Sequence, residues 1–271
     1  MWRIYGAGGT TTVFVRADGV ALVDTKLASN GAAILAQVRK VTDKPVTLIV
    51  NTHSHGDHVG SNAEIEGIIG NIDIWAHDRS ATRMEAMPNV GAPTMVFGDQ
   101  WTLGDGADRI ELYWFGPGHT DGDAFVVFPA ERVMAAGDIF QLMAMPRVDR
   151  GAGGSALALP VTLAKAQDAI KGVDIVIPGH DPRMRSWSEF SDYVSFTGVL
   201  ADTARTTQRT GGGPEQALAA LEGNRDVLMF VEETGEASSP KVRAVNGLAA
   251  AFQELRGEPP APPAPPPPPS N

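Results

Sequence analysis

The sequence predicts an α+β protein on three observations. β-Branched runs alternate with helical periodicity in the first part of the chain, strands joined by short turns fill the middle, and helical patterns dominate the carboxyl-terminal part. Thr11 to Arg16 and Val20 to Asp24 are β-branched or apolar runs split by Asp18-Gly19, a strong short-range hairpin signal. From Gly31 to Val41 the apolar residues Ile34, Leu35, Val38 and Val41 recur at helical spacing, with Ser29 and Asn30 as caps and Pro45 as the stop. Val46 to Val50 reads as a buried strand and runs directly into Asn51-Thr52-His53-Ser54-His55-Gly56-Asp57-His58, which places the histidine run on a loop at a strand's end.

The alternation continues with a strand over Ile72 to Ala76, a short helix over Asp78 to Met87 and a Pro/Gly-containing connection from Pro88 to Pro93. Strands are expected at Thr94 to Phe97, Trp101 to Leu103, Ile110 to Phe115, Ala124 to Phe128 and Arg132 to Ala136. A glycine-rich loop, Gly151 to Gly154, precedes a helix over Val161 to Lys171 and a strand over Asp174 to Ile177 that stops at Pro178-Gly179-His180. Helices follow at Arg185 to about Thr207, Pro214 to Leu221 and Lys241 to Leu255, with a short β-like run from Val227 to Val231. Residues 1–257 are therefore expected to form one domain. Residues 258–271 hold nine of the chain's 20 prolines and no large apolar side chain, so they are expected to be an extended, solvated tail.

A chain of 271 residues with 43% hydrophobic residues can bury a substantial core. Its net charge of -10 repels a phosphate-rich partner over most of the surface, which disfavours nucleic acid and leaves a small-molecule substrate. There is no cysteine, so any metal must be held by nitrogen and oxygen. No stretch reaches the roughly 18 apolar residues of a membrane span. The start, Met1 to Tyr5, lacks the pattern of an export signal, so the expected compartment is the cytoplasm or, if a leader is missing, the periplasm or exterior. Oligomeric state is left open.

Three of the six histidines lie within six residues of one another beside an aspartate, a density for which a solvated loop has no packing reason. His53 and His55 can point at one cation, and Asp57 and His58 at a second beside it. His119, in Phe115-Gly116-Pro117-Gly118-His119, and His180, in Ile177-Pro178-Gly179-His180, sit in tight glycine turns after strands. Asp138 also ends a strand, where its carboxylate can give one oxygen to each of two metals about 3.5–4 Å apart. The predicted metal residues are thus His53, His55, Asp57, His58, His119, Asp138 and His180. His77 lacks the glycine-turn context and reads as structural. Asp24 either orients the histidine loop through a hydrogen bond or is a surface aspartate.

These residues, in this order, resemble the metallo-β-lactamase superfamily over residues 2 to 257. The resemblance matches Asp24 to the early strand aspartate, His53, His55, Asp57 and His58 to the HxHxDH signature, and His119, Asp138 and His180 to the remaining metal residues. It implies an αββα sandwich of two mixed sheets with helices outside and metals along one edge. Asp138 stands where the best-known lactamases carry cysteine, and the metal set is similar to that of hydroxyacyl-glutathione hydrolases, lactonases and tRNA-processing nucleases. The acidic balance speaks against nucleases, and Lys241 and Arg243 do not make a convincing glutathione-binding cluster.

The expected activity is a dinuclear metal-dependent hydrolase in which a metal-bridging hydroxide cleaves an ester, lactone, thioester or amide of a small molecule. Zinc is the expected metal, with manganese and iron as alternatives. Asp57 is the expected catalytic side chain, orienting the nucleophile or carrying its proton. The competing readings are β-lactamase activity, a di-iron redox enzyme and a non-catalytic protein of the same fold. Substrate walls are expected from the methionine-containing stretches Met84 to Met95 and Ile139 to Gly154, unless those methionines simply belong to the core.

Overall fold

The computed structural model describes residues 1–222, 224, 227, 230 and 240–260, the last segment with side chains from 244 onward. Asp18-Gly19 turns the chain between β2 (Thr11–Val15) and β3 (Val20–Val23), which pair antiparallel with Val15 opposite Val20. β1 (Trp2–Ile4) adds to the free side of β2. On the other side β4 (Val46–Val50), β5 (Asp73–His77) and β6 (Met95–Phe97) follow in parallel, so the first sheet runs β1-β2-β3-β4-β5-β6. Parallel neighbours need crossovers. These are supplied by α1 (Gly31–Arg39), by the short α2 (Gly56–Val59) with α3 (Asn62–Ile69), and by α4 (Asp78–Glu85).

The second sheet runs β12-β11-β10-β9-β8-β7. β7 (Gln100–Leu103), β8 (Ile110–Tyr113), β9 (Phe125–Phe128) and β10 (Val133–Gly137) form an antiparallel meander. Helix α5 (Leu159–Ala169) crosses to β11 (Ile175–Pro178), parallel to β10, and β12 (Arg185–Ser186) closes the edge. Then come α6 (Trp187–Arg209), α7 (Pro214–Leu221) and α8 (Pro240–Leu255).

Side-chain alternation along the strands builds three apolar layers. Phe14, Val23, Leu48 and Val50 of the first sheet meet Leu112, Val126, Phe128 and Ala135 of the second between the sheets. Leu22, Ile49 and Ile74 point the other way, onto Ile34 and Val38 of α1 and Ile65 of α3. Phe125, Val127, Met134 and Val176 cover the outer face of the second sheet beneath Leu163, Phe190, Tyr193 and Phe252 of the later helices. Each buried phenylalanine contributes about 2–3 kcal/mol. Because β9 is covered on both faces, its sequence is apolar throughout instead of alternating. The result is the αββα sandwich that the resemblance implied.

The structure corrects several local expectations. Helix α3 was not expected: Gly67 and the terminal Gly70 dilute its short pattern, and Ile65 alone carries its buried apolar face. Asp57 and His58 lie on α2, one turn of helix, and not on an open loop. Arg185 and Ser186 are strand, and Ser186 caps α6 through a box with Glu189. Met84, Met143 and Met145 are buried core residues, while the stretch Ile139 to Gly154 does wall a cleft, through Gln141, Arg147, Val148 and Asp149. Of the β-like run from Val227 to Val231, residues 228, 229 and 231 lie outside the described residues. Val227 and Phe230 are helical, with Phe230 stacked on Phe196 at 4.2 Å. The proline-rich tail from 261 onward and the side chains of Lys241 and Arg243 also lie outside the described residues.

Candidate metal centre

The ends of β4, β10 and β11 meet at one edge of the sandwich: Gly179 N donates to Gly137 O at 3.0 Å between β11 and β10, and backbone bonds between the sheets hold the β4 and β11 ends. Ala124 N donates to Thr52 O and Thr10 N to Gly179 O, each at 2.7 Å. This brings His53, His55, Asp57, His58, His119, Asp138 and His180 into one cluster, although they span residues 53 to 180. Three overlapping groups have donor atoms within 4.8 Å of one another: His53, His55 and His119; His53, His58 and Asp138; and Asp57, His58 and His180. His77 is placed elsewhere, stacked on Trp114 at 4.8 Å and edge-on to Phe97.

Four of the five clustered imidazoles, those of His53, His55, His58 and His119, are turned by a partner on the far nitrogen. His58 Nδ1 donates to Asp24 Oδ2 at 2.7 Å. His53 Nδ1 lies 3.1 Å from Thr52 Oγ1, which itself donates to Asp24 Oδ2 at 2.7 Å. Asp24 also accepts from Thr52 N at 2.8 Å, so this carboxylate, 2% exposed, orients two histidines and the loop between them. Its backbone is left-handed, φ 62°, which aspartate tolerates better than most residues. His119 Nδ1 donates to the Arg147 carbonyl at 2.8 Å, and His55 Nε2 donates to Asp149 Oδ2 at 2.9 Å. Gln141 Nε2 donates to Asp138 Oδ2 at 2.9 Å.

With those nitrogens occupied, the opposite ones converge. His55 Nδ1 lies 3.1 Å from His53 Nε2 and 2.9 Å from His119 Nε2, and His58 Nε2 lies 3.3 Å from His180 Nε2. Lone pairs facing at this range repel unless a proton or a cation lies between them. Ligand nitrogens about 2.0–2.1 Å from a tetrahedral zinc are themselves about 3.3 Å apart. Asp138 Oδ1 is buried and faces His58 Nε2 at 3.1 Å, with no other polar group among the described residues turned to it. The donor set therefore fits divalent cations.

Protonation follows the same division. Burial, reinforced by the neighbouring His58, holds His53 well below the usual histidine value, and burial brings His119 down to about 4. Burial also opposes charge on His58, but the Asp138 and Asp24 carboxylates outweigh it and raise His58 well above the usual value. Against the same burial effect, hydrogen bonds to Asp138 and Asp57 push His180 up to about 9. Burial disfavours the Asp57 carboxylate, yet the His180 hydrogen bond and the His58 charge lower its pKa. Protons thus collect beside the carboxylates, where an entering cation would release them.

Glycines let backbone approach the cluster. A Cβ on Gly9 would lie 2.3 Å from the His58 ring, and one on Gly179 only 1.9 Å from Asp138 Oδ1. The segment bearing Gly9 is held by buried Lys26, whose Nζ donates to the carbonyls of Ile4, Gly6 and Gly9 at 2.7–2.8 Å. The centre opens into a cleft of about 340 Å³, walled beyond the cluster by Gln141, Arg147, Val148 and Asp149. Sequence reading missed Asp149, the Arg147 carbonyl, Gln141, Lys26 and Gly9. The glycines of Gly6-Ala7-Gly8-Gly9 were a usable signal for close approach, whereas Asp149 and Lys26 carried none.

Fold and cluster together define a protein class, and the comparisons name it. Residues 5–180 match the family model of the metallo-beta-lactamase superfamily, and the chain belongs to that superfamily. It is 28% identical over 202 residues to metallo-beta-lactamase domain-containing protein 1 of Xenopus laevis, covering 67% of this chain and 74% of that one. It is 27% identical over 212 residues to a hydroxyacylglutathione hydrolase of Rhizobium meliloti, covering 69% of this chain and 78% of the relative. Among solved structures, a metallo-beta-lactamase from Pontibacter korlensis superposes with a TM-score of 0.59 at 20% identity, over 70% of this chain and 94% of that one. The likeness to that structure is one of fold.

Proposed function

We propose that this chain is a dinuclear metal-dependent hydrolase, most simply a zinc enzyme, cleaving an ester, lactone, thioester or amide of a small molecule. The observation that carries the reading is the convergence of imidazole nitrogens, His55 Nδ1 with His53 Nε2 and His119 Nε2, beside the buried carboxylate of Asp138. His53, His55 and His119 would hold one cation, Asp57, His58 and His180 the other, with Asp138 between them. Cations held there lower the pKa of a water toward about 7 and polarise a carbonyl oxygen.

The remaining roles belong to the chain. Asp57, whose side chain is 31% exposed and which lines the cleft, would orient a water and take its proton. Asp24 and Thr52 hold the tautomers of His53 and His58. Arg147 lines one wall of the cleft, and its positive charge would suit a substrate carrying an anionic group. Among the described residues no helix is long and apolar enough to cross a membrane. The relatives named as hydroxyacylglutathione hydrolases support the thioester branch of the proposal.

The test measures bound metal per chain after purification without added metal. The same preparation is assayed on a lactone, a thioester, a phosphodiester and a β-lactam. About two zinc per chain, with chelator-sensitive cleavage of the lactone or thioester, supports the proposal and selects the branch. Turnover of the β-lactam alone would move it to a lactamase, and absence of both metal binding and activity after zinc reconstitution would overturn it.

A further inference from the structure

His53 and His58 are turned by the buried pair Asp24 and Thr52, whereas His119 and His55 are turned from one segment nearer the surface, and of the two only His55 meets a carboxylate there. Its side chain is 28% exposed, and its Nε2 meets the carboxylate of Asp149, which lies 94 residues further along the chain and is 44% exposed. A neutral imidazole carries its proton on either nitrogen with little preference, and the Nδ1–H form would point that proton at His53 Nε2 and His119 Nε2. A carboxylate on Nε2 requires the Nε2–H form and leaves the Nδ1 lone pair facing inward.

Asp149 belongs to a strap, residues 147–155, that follows the contour of the site. The Arg147 carbonyl accepts from His119 Nδ1, and Asp149 N donates to the His119 carbonyl at 2.8 Å. Ser155 N donates to Gly118 O at 2.9 Å, so the strap is stitched to the His119 turn at both ends. The glycine-rich loop now has a use: a Cβ on Gly154 would lie 2.2 Å from His119 O, and Gly153 takes the left-handed φ of 74°. Asp149 Oδ1 accepts from Ala152 N at 3.1 Å, which fixes the carboxylate while Oδ2 faces His55. From the outer layer, Glu254 of α8 accepts from Ser155 Oγ and Ala156 N, each at 2.6 Å. That helix lies beyond residues 5–180, the part matched to the superfamily.

We infer that Asp149 is a positioning residue that holds His55 in the metal-binding tautomer, and that Glu254 of the terminal helix keeps its strap in register. This rests on reading the cluster as a metal centre. Partners of this kind are worth about 10–100-fold in metal affinity.

The experiment titrates zinc into metal-stripped full-length protein against a chromophoric chelator, and records the absorption spectrum of the cobalt(II)-loaded form. Wild type, Asp149→Ala, Asp149→Asn and Glu254→Gln are compared, with thermal melts of the stripped proteins as the measure of folding. Asp149→Ala is expected to weaken one of two sites about 10–100-fold and to alter part of the cobalt spectrum. Asp149→Asn, which keeps an acceptor oxygen, should recover most of the loss. Glu254→Gln should shift the same site in the same direction by a smaller factor. A merely structural role would lower the melting temperatures and leave affinity and spectrum unchanged, and that result overturns the inference. If wild type itself binds no metal, the proposed function falls along with it; if wild type binds two and Asp149→Ala binds them equally well, only the inference falls.

Discussion

Replacing Asp24 by asparagine separates the shape of this site from its charge. The carboxylate accepts three hydrogen bonds, from Thr52 N, Thr52 Oγ1 and His58 Nδ1, at 2.7–2.8 Å and 2% exposure. Alanine would orphan three buried donors at about 1–3 kcal/mol each. That sum reaches the 5–15 kcal/mol of a typical domain's stability, so loss of metal and loss of fold would be confounded. Asparagine tolerates the φ of 62°, keeps an oxygen for Thr52 N, and presents an NH₂ to Thr52 Oγ1 and His58 Nδ1. His58 can answer that NH₂ only with a bare Nδ1, which leaves its proton on Nε2, the nitrogen that faces Asp138 and His180. Binding a cation there would then require breaking a buried hydrogen bond, about 1–3 kcal/mol, or about 10–100-fold in affinity. The expected outcome is a variant that melts within a few degrees of wild type when metal-free, yet binds its second zinc about 10–100-fold more weakly in a chelator competition. Two zinc ions bound with wild-type affinity would refute the tautomer argument.

Gly179→Ala places a Cβ 1.9 Å from Asp138 Oδ1, so the carboxylate must move; zinc affinity and activity should both fall at least tenfold while the far-ultraviolet circular dichroism stays native. Asp123 accepts from Thr120 N and Oγ1, but burial raises its carboxyl to about 7, against 3.8 in an unfolded chain. The unfolded state therefore loses this proton first, and wild type loses stability as pH rises from about 4 to 7. Asp123→Asn carries no such dependence, so its melting temperature relative to wild type should be higher at pH 8 than at pH 5; an equal difference at both would contradict the raised pKa. Stripping metal with a chelator should lower the melting temperature by about 10 °C. Zinc at about 1,000 times its Kd contributes about 4 kcal/mol, and a chain of this size shifts about 2–4 °C per kcal/mol. An unchanged melt would count against a metal centre.

What the sequence determined by itself was whatever is written in short periods and short spacings. The alternation of β2 and β3 around Asp18-Gly19, the helical spacing of Ile34 and Val38, and the strands that end on His53 and His180 are local patterns, and each matches an element in the structure. The cluster was legible for the same reason: histidine is rare here, six in 271 residues, and four residues of the cluster lie within six positions. Boundaries drifted by a residue or two, and α3 was lost, because short helices with one buried apolar contact leave a weak period.

Tertiary structure alone decided which groups hold the cluster in place. Asp24 had two open readings until the β3–β4 pairing put its carboxylate under Thr52 and His58. Lys26, a cation at 2% exposure, looks like a surface residue until three carbonyls converge on it. Asp149 meets His55 across 94 residues, and Glu254 meets Ser155 across 99. Hydrogen bonds of this length in sequence depend on the order of strands in two sheets and on the layer of helices outside them, and no local periodicity encodes that order.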